Sequence, residues 1–286
     1  MLWQAARMPR ISVVIPTRGR AEGLERTLSA ISSPPEWNTE VIVVENHTDA
    51  AKVIAESAGV RYVRLAEGNA STARNFGAEV AGPCDVLVFL DDDSVPDPMW
   101  LRELVTPILA QQADATVGTC TVVFEEPVVN SIRAYFVDTD LALDPSHPFI
   151  IGMNAAMSRE AFECVGGFPV NLGPGASMGG EDLWVSLRLR QLGFGIIATP
   201  QAVVRHEIPA SRVTSSGLRD RMVWAGKGEG WIAVHCQGAA PSQARLGVRI
   251  VRTRLRLFLR PSFEEELRLT LQYWRERQML TEIRAE

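Results

Sequence analysis

Apolar residues arrive along the first third of this chain in short runs, each followed by a polar loop. Residues 11–15 (Ile-Ser-Val-Val-Ile) read as a buried-type strand stopped by Pro16. Residues 41–44 form a second such run, and 61–65 alternate like a third strand. Val86–Leu90, five apolar residues in succession, reads as a fourth strand buried on both faces. Between these runs the spacing turns helical. Leu24, Leu28 and Ile31 share one face of a helix that Pro34 and Pro35 end. Asp49 is placed to cap a helix reaching Ala58, with Gly59 as its stop, and 68–81 reads as a loop running into a helix. After Asp97, taken as N-cap, with Pro98 in the first helical position, a helix is expected to about residue 112, bent or broken at Pro107.

The second half is less regular. Residues 115–124 and 149–157 read as strands, 159–165 as a short helix, and 166–180 as a glycine-rich loop. A firm helix starts at Glu181 and stops at Gly193, and 195–198 and 202–204 are two strand-like segments. Residues 125–148 carry scattered acids and few structural signals. From about residue 211 the character changes, with Gly226, Gly228 and Gly230, a break at Pro241 and Ser242, and a helical last stretch.

Strands alternating with helices predict an α/β fold with a mostly parallel central sheet and right-handed crossovers. The expected organisation is a nucleotide-binding and catalytic domain over 1–210 and a mainly helical extension over 211–286. In such sheets ligands bind beyond the carboxyl ends of the strands. The polar loops beginning at Thr17, Glu45 and Asp91 each follow a strand directly, so they should gather at one rim.

One of those loops is chemically unusual. Asp91, Asp92 and Asp93 emerge together from the fourth strand, and three like charges repel unless something positive sits among them. A divalent ion such as Mg²⁺ or Mn²⁺, carrying a phosphorylated ligand, is one solution, since hard cations prefer oxygen donors. A solvated turn whose acids cap the following helix is the other.

Composition narrows the setting. The 286 residues, 46% hydrophobic and 22% charged, suit an ordinary globular protein, and a net charge of −5 argues against general nucleic-acid binding. Cys84, Cys120, Cys164 and Cys236 are scattered without a C-x-x-C pair, which suits reduced thiols better than a disulfide framework or zinc site. With no signal-peptide core over residues 1–10 and no long apolar run, a cytoplasmic location is expected. Residues 245–260 set Arg245, Arg249, Arg252, Arg256 and Arg260 at helical spacing, with Val248, Val251, Leu255 and Phe258 on another face. Such a helix either packs on the protein with its arginines solvated or makes peripheral contact with the inner face of a membrane near a lipid-linked acceptor.

Six segments in order resemble glycosyltransferase family 2: Pro16-Thr17-Arg18-Gly19-Arg20 after the first strand, Glu45-Asn46-His47-Thr48 after the second, and 68–77 with its Ala-Arg-Asn-x-Gly ending. The acidic triplet, Gly166-Gly167-Phe168 and Glu181-Asp182 complete the set, which covers about residues 10–206. The resemblance implies a GT-A fold and an inverting, nucleotide-sugar-dependent glycosyltransferase. It implies that Pro16, Thr17, Arg18, Arg20, Arg74 and Asn75 line the nucleotide site, and that Glu45 accepts a hydrogen bond from the imide N–H of a base, most plausibly uracil. In the triplet it implies a DXD motif: Asp93 as direct metal ligand, Asp91 toward metal or ribose, and Asp92 in the nucleotide site. Asp182 matches the catalytic base, with Glu181 in reserve, and His206 matches a metal-binding position. An acid-rich helix start favoured by the macrodipole is the plain alternative for Glu181 and Asp182; a turn-stabilising acid is that for Glu45, a structural ion pair for Arg74 and a structural histidine for His206. Trp184, one turn on, either fills the core or stacks on an acceptor. The implied partners are a nucleoside-diphosphate sugar, probably UDP-linked, and a glycan, lipid-linked, peptide or small-molecule acceptor. Two other classes fit the motifs less well. A nucleotidyltransferase would be expected to carry a Gly-Gly-x-Gly-Thr-Arg loop after its first strand, which this chain lacks, and a non-catalytic binding module would have no need of both acidic sites.

Overall fold

Eight strands form one sheet in the order β3-β2-β1-β4-β7-β6-β8-β5. They span Arg10–Thr17 (β1), Asn38–Asn46 (β2), Arg61–Leu65 (β3), Val86–Leu90 (β4), Ser94–Pro96 (β5), Ala115–Phe124 (β6), Asn154–Ser158 (β7) and Ile196–Ile208 (β8). The computed structural model describes residues 7–128, 148–236, 249–250 and 263–285. Expectations for 129–147, and for 245–260 apart from Arg249 and Ile250, fall outside the described residues.

The first four strands are parallel, and the sheet becomes mixed beyond them. β7 lies antiparallel between β4 and β6, and β5 lies antiparallel at the edge against β8. Side chains alternate across this sheet and feed two cores. Val13, Ile15, Val86, Val88 and Leu90 face α1 (Ala21–Ala30) and α4 (Trp100–Leu109). Val14, Leu87 and Phe89 face α3 (Ala70–Val80), α5 (Arg159–Val165) and α6 (Glu181–Gln191). All five residues of β4 are fully buried, and at about 1.5–3 kcal/mol per large apolar side chain this strand is the fold's anchor.

Several boundaries differ from expectation. α4 begins at Trp100, two residues after Pro98, because Asp97 and Pro98 form a turn in which the Asp97 carbonyl accepts from the Trp100 amide at 2.9 Å. Pro107 lies inside the last turn of α4 without ending it there. The strand expected over 149–157 is confined to Asn154–Ser158. The two segments at 195–204 are one strand, β8, interrupted by a register shift: Gly118 pairs with Thr199, and Thr119 with Val203. Three extra residues, 200–202, are thus accommodated opposite a single step of β6. Buried Asn154 fills the irregularity, donating to the carbonyls of Thr119 and Ala202 at 2.9 Å and accepting from Trp100 Nε1 at 2.7 Å. Gly118 must be bare here, since a Cβ would lie 2.2 Å from the Ala202 carbonyl oxygen.

α2 (Lys52–Ser57) packs against α1 and β3, and two long helices, α7 (Ser215–His235) and α8 (Phe263–Ala285), pack side by side in parallel, with Arg219 over Trp274, Gly226 against Arg275 and Gly230 against Met279 and Glu282. Among the described residues no helix is long and apolar enough to cross a membrane. All four cysteines are free.

Candidate active site

Parallel pairing brings the predicted loops to one rim. Thr17 pairs with Glu45, and continuation of the β1–β4 register sets Thr17 beside Asp92. The Thr17 hydroxyl donates to Asp92 Oδ2 at 2.6 Å, and Arg20 donates to Asp92 Oδ1 at 3.1 Å while also pairing with Asp93. The Asp92 backbone carbonyl accepts from Thr27 Oγ1 at 3.0 Å. The middle acid therefore turns inward and ties the first loop to the fourth strand. Burial pushes its carboxyl up to about 6, against the pull of Arg20 and Thr17.

The outer acids point elsewhere. Asp91 Oδ1 accepts from Arg74 Nη2 at 2.7 Å. Asp93 Oδ1 lies 3.1 Å from His206 Nδ1, across the antiparallel Ser94–His206 pairing of β5 and β8. Burial alone would raise the Asp93 carboxyl, but hydrogen bonding and charge from His206, then Arg20 and Arg212, hold it below its ordinary value. Burial would lower the His206 imidazole, and Asp93 and Asp91 outweigh it, so His206 is raised. Asp93 and His206 fit a hard divalent cation as a pair. At 3.1 Å the two are a hydrogen-bonded ion pair, so a cation taken here would replace that contact with one carboxylate and one imidazole donor. Two protein donors leave positions for phosphate oxygens and water, and among the described residues no third His, Cys, Asp or Glu completes a cage. Asp91, expected among the ligands, is engaged by Arg74.

Arg74 is the hub. It is 2% exposed, lies over the Phe168 ring with Cζ 5.2 Å from its centroid, and reaches Glu181 Oε1 at 3.8 Å. Phe168 packs edge-on against Phe89 at 5.0 Å, which carries the Gly-Gly-Phe segment into the core beneath the site. Asn75 donates to the Phe168 carbonyl at 2.7 Å and accepts from its amide at 2.8 Å. Both of its amide groups are thus spent on fixing this loop, not on lining a nucleotide. Gly167 is required at φ 78°, where a Cβ would lie 2.6 Å from Asn75 Oδ1.

Glu181 and Asp182 open α6 directly above Arg74. Glu181 is buried, and Asp182 is partly exposed with a fully buried Oδ1. Burial raises both carboxyls, Asp182 well above the ordinary range, with Glu181 adding repulsion to Asp182 and Arg74 only partly offsetting it. A Cβ on Gly152 would sit 2.8 Å from Asp182 Oδ1 and 2.9 Å from Arg74 Cζ, so this bare backbone is what lets the base candidate and the arginine approach one another.

Glu45 departs most from expectation. It is fully buried, accepts from the Ala51 amide at 3.1 Å and Tyr62 Oη at 2.9 Å, and takes the Thr48 hydroxyl as well. Its oxygens stabilise the turn into α2 and have none to spare for a base. The residue overlooked in the sequence is its neighbour Asn46, 4% exposed, whose Nδ2 donates to the Asn69 carbonyl at 3.3 Å and whose Oδ1 has no partner. Pro16 is buried in β1, and Arg18 is exposed on the loop beyond it. Arg212, on the 3-10 turn Ala210–Val213 that follows β8, was also overlooked; it adds positive potential at Asp93 and His206.

Unsatisfied atoms mark where a ligand belongs. Seven buried side-chain nitrogen or oxygen atoms among the described residues make no hydrogen bond of good geometry, and six belong to Asn46, Arg74, Asp93, Ser94 and Asp182; of these, Asp93 Oδ1 is ion-paired with His206 and Arg74 Nη1 lies 3.8 Å from Glu181. Buried polar groups are otherwise almost always paired, so this concentration at one rim separates a binding site from a solvated turn.

Comparison with known proteins agrees with this architecture. The fold is similar to that of the mannosyltransferase PcManGT of Pyrobaculum calidifontis, described in complex with GDP-Man and Mn²⁺, with a TM-score of 0.63 and 19% identity, over 98% of this chain and 74% of that one. It is also similar to GalNAc-T7, described with UDP, GalNAc and Mn²⁺, with a TM-score of 0.56 and 19% identity, over 82% of this chain and 52% of that one. The protein therefore has the GT-A fold. In sequence it is 26% identical over 232 residues to the O-antigen biosynthesis protein RfbC of Myxococcus xanthus, over 71% of this chain and 18% of that protein. It is 27% identical over 201 residues to the glycosyltransferase AglE of Haloferax volcanii, over 66% of this chain and 64% of that protein. The chain thus spans less than two thirds of the length of either relative. The model of glycosyl transferase family 2 matches residues 12–166, from β1 through α5, which takes in the acidic triplet and stops before Glu181. With more than half of its length matched in this way, the chain belongs to glycosyl transferase family 2.

Proposed function

We propose that this protein transfers a sugar, with inversion, from a nucleoside-diphosphate sugar to an acceptor hydroxyl. The observation that carries this reading is the cluster of unsatisfied polar atoms lying between two acidic groups that share Arg74. Asn46 Oδ1 accepts from the imide N–H of the base, for which uracil is the first choice. Arg20, nearly half exposed above Asp92 and Asp93, faces the diphosphate. Asp93 and His206 hold Mn²⁺ or Mg²⁺, which when bound neutralises charge on the departing diphosphate.

Asp182 receives the proton of the acceptor hydroxyl as its oxygen bonds to the anomeric carbon, and the bond from that carbon to the diphosphate breaks. A carboxylate held above its ordinary range is a stronger base than a free one, provided the pH is high enough to ionise it. Activity should therefore rise with pH through the raised Asp182 ionisation. A cytoplasmic setting and acceptor choice by residues 125–148 and the carboxyl-terminal extension stand as parts of this proposal. The acceptor class, whether glycan, lipid-linked, peptide or small molecule, is set outside the groups named here.

A thermal-shift screen of UDP- and GDP-sugars with and without Mn²⁺, followed by an assay for released nucleoside diphosphate, tests the reading. Stabilisation that needs both nucleotide and metal, with turnover, is the expected result. Binding without any release of nucleoside diphosphate would favour a binding module instead.

A further inference from the structure

Helix α7 carries glycines at 226, 228 and 230 in the middle of 21 helical residues. Each costs about 1 kcal/mol relative to alanine in a helix, so three in five residues need a reason. Two of them serve the packing of α7 on α8. A Cβ on Gly226 would lie 2.3 Å from the Arg275 carbonyl oxygen, and one on Gly230 would lie 2.5 Å from Glu282 Cβ, both on α8. Residues four apart share a helix face, and Gly228, halfway between them, looks the other way. A Cβ there would lie 1.6 Å from the carbonyl oxygen of Gly179, in the loop that leads into Glu181 and Asp182.

The contact is a seam rather than a single touch. The Gly179 amide donates to the Trp224 carbonyl at 3.1 Å, and Trp224 Nε1 donates to the Ala176 carbonyl at 3.1 Å. Gly179 lies against the Trp224 ring, where a Cβ would come within 2.6 Å, and one on Gly180 would come within 2.9 Å of Ile232 Cδ1. The same loop is fastened on its other side to α3, with Asn69 donating to the Val170 carbonyl at 2.6 Å, Ser71 to the Leu172 carbonyl at 2.8 Å and the Ala70 amide to the Pro174 carbonyl at 3.0 Å. α6 has no side-chain cap of its own, and its entry residue Gly180 sits at φ 96°. The position of its first turn is therefore set by the loop.

We propose that α7 is a positioning element of the catalytic unit: Trp224 and Gly228 seat the backbone of 176–180 and thereby set where Asp182 stands. The catalytic unit then extends through residue 236, and the boundary near 210 divides the chain by composition only. This inference rests on the reading of Asp182 as the base.

Full-length variants test it by turnover, donor KM and hydrogen exchange of the 176–180 amides. Gly228→Ala should lower kcat about 100-fold with donor KM within about two-fold, the loss expected from a base displaced by roughly 1 Å. Trp224→Phe, which removes the Nε1 donor and trims the six-membered-ring edge that lies against Gly179, should lower kcat about 5-fold. Both should speed exchange at 176–180. Gly230→Ala, which disturbs only the α7–α8 contact, should lower Tm while leaving kcat and that exchange unchanged. Wild-type kcat and exchange in both Trp224→Phe and Gly228→Ala would overturn the proposal, as would an equal kcat loss in Gly230→Ala. Turnover retained by Asp182→Asn would sink the base reading alone, and exchange at 176–180 would still decide whether α7 seats the loop.

Discussion

Two groups of carboxylates face each other across Arg74, and they differ in the company they keep. Asp91, Asp92 and Asp93 are met by Arg74, Arg20 and His206, so each acid has a cation or imidazole of its own. Glu181 and Asp182 share what remains of Arg74, no nearer than 3.8 Å to Glu181. Environment divides their protons accordingly. Asp93, the acid paired with His206, is lowered, whereas Glu181 and Asp182 are raised, as burial also raises Asp92 to about 6. Side chains of the same chemistry are thus prepared as charge holders at one site and as a proton acceptor at the other.

Removing the acceptor should break the comparison most sharply. Asp182→Asn is expected to lower turnover about 10³-fold while leaving nucleotide binding near its original strength. Rate and thermal shift measured together check this, and wild-type turnover would refute the assignment. Next comes the shared cation. Arg74→Met leaves Asp91, Glu181 and Asp182 with uncompensated buried charge, so a loss of about 3–5 kcal/mol in urea unfolding at neutral pH is expected. That loss should shrink at lower pH, where the raised carboxyls of α6 are protonated.

A smaller effect sharpens the metal side. Asp93→Asn and His206→Ala should each weaken Mn²⁺ binding about 10- to 100-fold, seen as a loss of the metal-dependent Tm increase at fixed nucleotide. Asp91→Asn, whose carboxylate answers to Arg74, should keep more of that response. The smallest expected effect belongs to Asp92. Its carboxyl is raised to about 6, so the stability it contributes is complete below about pH 4 and is lost as pH rises through about 6. Asp92→Asn abolishes that loss, and the difference in Tm between variant and wild type should move in the variant's favour from pH 4.5 to pH 7. Taking the difference removes the parallel titration of His206.

Local pattern made much of the fold readable. Apolar runs and breaks mark β3, β4, β6 and α5 to the residue, because each is bounded by a turn signal. Where pairing depends on distant partners, pattern is silent. The three residues of β5 are a strand only because β8 lies alongside, and the insertion of β7 between β4 and β6 is a tertiary event. The site shows the same division. Acid clusters and glycines are visible as motifs, but the direction of each polar atom is not. Glu45 is turned inward by Tyr62 and the Ala51 amide, 17 and 6 residues away, and Asn75 by Phe168, 93 residues away. Asn46 looks like an ordinary turn residue until its empty Oδ1 is seen.

The irregular step in β8 carries a consequence for how this protein can vary. Successive strand residues point to opposite faces, so an odd number of extra residues at 200–202 inverts the facing of everything downstream. His206 looks toward Asp93 because of that parity, held by one buried asparagine. Lengthening or shortening the span by a single codon would swing the imidazole outward while the strand stayed paired. On the proposed metal role of His206, insertions and deletions at this spot, more than point substitutions at His206 itself, would be a short genetic path between metal-dependent and metal-independent descendants of one scaffold. Deleting Gln201 and measuring the Mn²⁺ requirement would show whether the path is open.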